Sequence, residues 1–323
     1  MAAQIYNLFG QDSFTRRAGT APAWHGLGGE TPADASLDVW ARNAGMDFEI
    51  LGAPVQFDAA GALATFGGRR VLYRSDNAAP LGLVSDRYKV VQPREVLEFF
   101  RDLTQAGGYQ LETAGVLGEG GKYWALATNG QSVNLSGDVI KPYLLLATAC
   151  DGSLATTADF TSVRVVCQNT LSMAVDGATT AIKVRHTTKF DARDVKRQLG
   201  IDETFEQFVA QVDRLATRHI ADRDAADVLW QLFAADQDAN NRTPQALPKQ
   251  TRDKIEGVWS LYQGAGHGAE LATARGTAWG VLNAVTQYVD HETRAHNREN
   301  RLASAWFGAG KALKNRAFEM LAA

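Results

Sequence analysis

YLLLATACDGSLATTADF, Tyr143 to Phe160, is the stretch on which the fold reading turns. Two β-prone apolar runs flank Asp151-Gly152, a dipeptide suited to the two positive-φ positions of a tight hairpin turn. Toward the N-terminus, KYWALAT (122–128) reads as another strand, and GEGGK (118–122) as the turn joining it to Val116. The lysine of that turn lacks the spacing and the following Ser or Thr of a phosphate loop. FEILGAPVQF (48–57), ALATFGGRRVLYR (62–74) and GLVSDRYKVV (82–91) are further strands. One helix interrupts them: Pro93 sits in its first turn, Val96, Leu97, Phe100 and Leu103 form its apolar stripe, and Gly107-Gly108 ends it.

In the other direction, TSVRVVCQNTLSMAV (161–175) carries Val163, Val166, Cys167, Thr170, Leu171 and Ala174 at helical spacing, with Ser162 as cap, and is expected to be a helix. After Thr180 the pattern is helical. Phe205, Phe208, Val209, Val212 and Leu215 make one stripe, DAADVLWQLFAA (224–235) follows, and further helices are expected at about 250–263, 276–290 and 299–322. Residues 1–45 read as an arm plus a short helix that starts at Thr31-Pro32 and turns Leu37, Trp40 and Ala41 inward. The expectation is an α+β fold: an antiparallel β-rich N-terminal half with a β-β-β-α core, and a helical C-terminal half. Its regions are the arm (1–45), the core (46–200) and the helical part (201–323), with a linker near 236–250 that carries Pro244 and Pro248.

Of the 323 residues, 45% are hydrophobic and 21% charged, enough apolar side chain to build a folded core. A net charge of −3 excludes a uniformly basic nucleic-acid binder, so any polyanion contact needs a local patch. Cys150 and Cys167 are too few for a disulfide framework, and no signal-peptide or membrane-length apolar run occurs. These features lead to the expectation of a soluble cytoplasmic protein that makes no membrane contact.

Catalytic signals are sparse. Cys167 and His186 could in principle form a thiolate–imidazole pair, but Cys167 fits better as a packed residue of an apolar helix face. The six histidines are dispersed, C-x-x-C and H-E-x-x-H are missing, and GAGHGAE (264–270) is no dinucleotide fingerprint. The chain is therefore read as a binding protein, not an enzyme, with no cofactor and no metal.

Positive charge mixed with aromatics is the informative feature. Arg69, Arg70, Tyr73 and Arg74 form one cluster, and Arg87, Tyr88 and Lys89 a second. Lys183, Arg185, His186 and Lys189 form a third, which Arg193, Lys196 and Arg197 extend. Single-stranded nucleic acid is held by this combination, with cations along the backbone and aromatic faces under the bases. The competing reading is of solvated strand edges, where Lys and Arg discourage edge pairing.

AWHGLG (23–28), VSDRYKVVQ (84–92), KPYLLLATACDGS (141–153), VRVVCQNTL (163–171), RHT (185–187), GTAWGVLNAVTQYVDH (276–291) and RLASAWFG (301–308) resemble, in this order, the uncharacterised "phage/plasmid-like" family of prophages, plasmids and integrative elements. The order of elements is also similar to that of the single-strand annealing superfamily, which includes Red-beta, RecT, Erf and the eukaryotic ring-forming annealing mediator. That second resemblance implies a homo-oligomeric ring or filament that lays single-stranded DNA in a basic groove. It makes Arg69, Arg70, Arg74, Arg87, Lys89, Lys141, Arg164, Lys183, Arg185 and Lys189 candidates for phosphate contact, and Tyr88 and Tyr143 candidates for stacking. Arg164 in its expected helix points away from the apolar stripe, beside Gln168 and Asn169; as a structural residue it would pair with Asp151 or Asp159. Two alternatives stand beside this reading. One is an oligomeric scaffold or host-interaction protein presenting Trp279, Trp306 and Phe307, and the other is an enzyme using Cys167 and His186.

Overall fold

Strand-forming runs dominate before residue 165 and amphipathic helices after residue 200, and the protein is α+β accordingly. The computed structural model describes residues 7–8, 11–12, 14–18, 29–166, 169–171, 182–184, 201–235 and 246–323. The early elements are β1 (Asn7–Leu8), β2 (Gln11–Asp12), β3 (Phe14–Arg17), β4 (Gly29–Thr31), α1 (Leu37–Asn43), β5 (Ile50–Ala59), β6 (Ala62–Arg74), β7 (Pro80–Ser85) and α2 (Pro93–Gly107). The middle of the chain supplies β8 (Gln110–Leu117), β9 (Lys122–Thr128), β10 (Val133–Leu135), β11 (Asp138–Ala149), β12 (Thr156–Arg164), β13 (Asn169–Leu171) and β14 (Ile182–Val184). The rest is α3 (Ile201–Thr217), α4 (Asp222–Phe233), α5 (Lys249–Ser260), α6 (Ala278–Gln287), α7 (Arg298–Phe307) and α8 (Ala309–Ala322).

Two compact units result. One takes residues 1–130, 143–160 and 181–200, the other residues 131–142, 161–180 and 201–323. In the first, an antiparallel sheet runs β14, β12, β11, β9, β8 and β3, and β4 joins β3 in parallel. Leu144 to Ala149 pair with Ala127 to Lys122. Leu144, Leu145, Leu146 and Ala147 are all buried, as an unbroken apolar run requires when both faces of a strand are covered. Helix α2 lies against β8 and β9. The Gln92 N–H donates to Glu95 at the helix start, and Gly108 closes the other end at φ 72°. The Gln92 amide also pairs both ways with the Ile50 backbone, at 2.8 and 3.1 Å, and so ties β5 to α2.

Several local expectations change. Helix α1 begins at Leu37 because Thr31 is consumed in β4, where its hydroxyl meets those of Thr15 and the Asn43 amide, each at 2.8 Å. The 143–160 hairpin is not closed by a two-residue turn. Of residues 150–155 only Gly152 has positive φ, and Asp151 instead accepts the Ser153 N–H at 2.9 Å. Strand β7 stops at Ser85, where a turn closes through the Tyr88 N–H and the Ser85 carbonyl.

The second unit is organised on α6. AWGVLNAVTQ is apolar on nearly every side and buried along its whole length, as a helix packed on all faces must be. Helices α3, α5 and α8 pack against it. The expected α3 stripe is observed: Phe205, Phe208, Val212 and Leu215 are buried. The single helix expected over 299–322 is two, parted where Gly308 is extended (φ −120°, ψ −147°). The helix expected from Ser162 is corrected more deeply. Val163 and Arg164 end strand β12, Val165 and Val166 turn, and β13 returns with Thr170 opposite Val163 and Asn169 opposite Arg164. β-branched Val163, Val165 and Val166 favour the extended chain, and the pairing sends Arg164 inward. Cys167 itself, like residues 236–245 of the expected linker and all of AWHGLG, lies outside the described residues.

Candidate nucleic-acid interface

The end of β6 and the turn after β7 bring two of the expected clusters together. Arg69 pairs with Ser85 and Arg70 with Val84 in the ladder, and the Asp86 N–H donates to the Gly68 carbonyl. The Arg70 guanidinium then donates to the Tyr88 carbonyl, which fixes the turn bearing Arg87 and Lys89. Gly52 lies close beneath this side chain, where a Cβ would sit 3.3 Å from the Arg70 Cδ. The Tyr88 ring lies over the loop of the 143–160 hairpin, its edge 3.3 Å from where a Gly152 Cβ would be. Asp151 packs against Gly82, where a Cβ would approach to 2.6 Å. Thus VSDRYKVVQ and TACDGS, distant in sequence, form one local structure.

Arg69, Arg87 and Lys89 are exposed, and Arg70 and Tyr88 half-buried. Among the described residues none of the four cations forms an ion pair. Burial, with Cys150 and Asp151 close by, raises the Tyr88 hydroxyl above its ordinary pKa, so the ring stays a neutral aromatic surface.

Other expected contacts are not at this surface. Arg74 is buried and bidentate to Asp76, at 2.9 and 2.7 Å; it donates to the Glu119 carbonyl, and its guanidinium lies 3.7 Å from the Phe48 ring centre. Its charge is spent, and it holds Asp76 below the usual carboxylate range. Tyr143 is fully buried and donates to Glu112 at 2.8 Å, so it cannot stack on a base. Burial and Glu112 push its hydroxyl pKa up. Arg164 is 3% exposed and paired with Asp138, a residue not singled out from sequence and neither of the two expected partners. Lys141 is half-buried on β11, and Lys183 stands opposite Thr157 on β14. Arg185, His186 and Lys189 lie outside the described residues.

The Arg164 site belongs to a buried network in the second unit. Its Nε donates to both Asp138 oxygens, at 2.8 and 2.9 Å, while its outer nitrogens reach the His267 and Gly268 carbonyls at 3.2 and 3.0 Å. Asp138 also accepts from Thr273 and from the Trp279 indole. Only glycine suits position 268: φ is +71°, and a Cβ would lie 2.7 Å from Val166. Trp306 likewise turns inward, donating to the Thr170 hydroxyl at 3.1 Å. Trp279 and Trp306 are each 3% exposed, which removes them as partner-facing aromatics.

A family model described as "Domain of unknown function (DUF932)" matches residues 80–306. The chain belongs to the DUF932 family. No curated protein and no solved structure matches it. The DUF932 span opens at the first residue of β7 and ends at Trp306, so it contains Arg87, Tyr88, Lys89, Asp138 and Arg164. The β5–β6 hairpin, with Arg69 and Arg70, precedes it.

Cys150, beneath the Tyr88 turn, is buried in this DUF932 protein. Burial first, then Asp151, pushes its thiol from 9.0 up to about 11, against the Tyr123 hydroxyl. Between these pH values the unfolded thiol has lost its proton and the folded one has kept it, so stability falls as pH rises. Urea unfolding is expected to lose roughly 2–3 kcal/mol across that window from this group, and Cys150→Ala to remove that part of the slope.

Proposed function

We propose that this DUF932 protein is a nucleic-acid-binding protein of a mobile genetic element (phage or plasmid), which binds single-stranded DNA and promotes its annealing in recombination as a homo-oligomer. The supporting observation is the meeting of Arg69, Arg70, Arg87 and Lys89 around Tyr88, with no carboxylate ion-paired to them among the described residues. Four cations on one strand end and one turn suit phosphates spaced along a flexible strand, and a neutral tyrosine edge suits a base. Because a strand stands where a helix was expected after β12, the support lies in this surface and not in topology. Annealing breaks no bond, so no catalytic group is asked of the chain.

Anisotropy titrations with a fluorescent 30-nucleotide strand test the reading. Each phosphate contact contributes a slope of about −0.7 in log K against log salt for single strands, so up to four cations give roughly −3. Arg87→Glu combined with Lys89→Glu is expected to weaken binding at low salt by about tenfold or more, about 1.4 kcal/mol. No binding at low salt, binding indifferent to salt, or an unaffected double variant would each end the proposal.

A further inference from the structure

The three-stranded sheet β5–β6–β7 covers its own unit with only one face. Ile50, Leu72, Arg74 and Val84 are buried on that side. On the other, alternation along β5 places Leu51, Ala53, Val55, Phe57 and Ala59. The ladder sets Tyr73, Val71, Phe66, Ala64 and Ala62 opposite them in turn, and Leu83 opposite Val71. Every one of these side chains is apolar or aromatic, and Leu51, Phe57, Phe66 and Leu83 are 39%, 49%, 54% and 55% exposed. At roughly 200 Å² for a fully exposed large side chain, these four alone present on the order of 400 Å², already the size of the largest apolar patch on an ordinary monomer.

Beyond the break in register at Pro54/Val55, residues 55–66 form a two-stranded ribbon turned by Ala60 and Gly61, both at positive φ. Such a ribbon is marginal by itself and needs a cover that is present whenever the chain is. Its only charge is Asp58, near the tip, while Arg69 and Arg70 stand at its base. A nucleic acid or an anionic bilayer meets no cation on the ribbon. A second copy stacked in two-fold antiparallel fashion meets an uncharged apolar ribbon, since Asp58 faces the opposite side with Leu63, and the four exposed side chains alone then bury about 800 Å² across the two copies, approaching the size of a specific interface.

We infer that the face bearing Leu51, Val55, Phe57, Phe66 and Leu83 is the self-association surface of this protein, its occupant the same face of a second copy. This does not rest on the nucleic-acid reading, since a monomer can bind a strand through Arg87 and Lys89. Sedimentation velocity at about 5–50 μM is the test. The wild type is expected to be dimeric or larger, and Phe57→Asp and Phe66→Asp to weaken association at least tenfold while keeping the wild-type circular dichroism spectrum. Leu63→Asp is the control: Leu63 is 71% exposed but stands opposite Asp58 on the other face, and its variant should stay assembled. Cysteine cross-linking covers the case of a misfolded variant. Ala64→Cys is expected to give a covalent dimer on oxidation, and Thr65→Cys, one residue along and facing the other way, is not. A monomeric wild type overturns the inference, as does equal behaviour of the two faces in both assays. A monomer that instead pellets with phosphatidylglycerol vesicles through Phe57 also overturns it, in favour of a lipid surface.

Discussion

Asp138→Ala is expected to destabilise the protein by about 3–5 kcal/mol, the cost of leaving a buried charge without its partner. Asp138 is fully buried, and Arg164 is 3% exposed with its Nε on both carboxylate oxygens. Removing the carboxylate takes both Asp138 oxygens from that guanidinium, whose other described partners include the neutral His267 and Gly268 carbonyls, and strips the Thr273 hydroxyl and Trp279 indole of an acceptor. Unfolding in urea, followed through tryptophan fluorescence, reads the loss directly. Replacing both partners by leucine should cost less than the single change, because no charge then remains inside. If Asp138→Ala melts within about 1 kcal/mol of the wild type, the network does not anchor this unit as its geometry implies.

Lys314→Ala is the second large effect, again about 3–5 kcal/mol. The Lys314 ammonium is buried and directs its donors to Asp290 at 2.7 Å and to the Thr170 carbonyl and hydroxyl at 2.6 and 3.2 Å. Asp290 in turn accepts from the Thr170 N–H and hydroxyl at 2.7 and 2.9 Å. Burial pulls the ammonium below its ordinary pKa and Asp290 pulls it back, so the pair holds only while both members are present. Alanine leaves the Asp290 carboxylate buried beside strand β13 without a cation. Adding Asp290→Asn to Lys314→Met removes both charges, and this double variant is expected to recover part of the loss in the same urea assay. Equal stability of Lys314→Ala and wild type would show that this buried pair does not anchor strand β13.

The order of elements was legible because it is written in local signals. Lys122–Thr128 and Ala62–Arg74 are strands from the first to the last residue expected, and Pro93 and the Gly107-Gly108 pair bracket α2 as read. The candidate surface was legible in part: the Arg69 and Arg87 clusters were visible as charge runs, but their meeting depends on the Arg70 to Tyr88 contact. The apolar face had a signal that could have been used. Leu51, Ala53, Val55, Phe57 and Ala59 alternate strictly, a pattern that demands a cover on one side. What misled the reading was Val163–Ala174, where apolar spacing fits a helix and a hairpin equally well, and β-branching tips the balance to strands.

Sequence by itself determined the α+β class, the strands-then-helices order, the boundaries of β6, β9 and α2, and a chain whose net charge of −3 confines any polyanion contact to a patch. Only the tertiary structure decided which charges are available. Arg74, Arg164 and Lys314 look in sequence like any other cation, yet each is buried against a carboxylate, at 2 to 26 residues' separation, whereas Arg69, Arg87 and Lys89 stay open to water. The reason is physical: a long basic side chain has no burial preference of its own strong enough to read. Its fate is set by whether folding brings a carboxylate and carbonyls close enough to repay the loss of water.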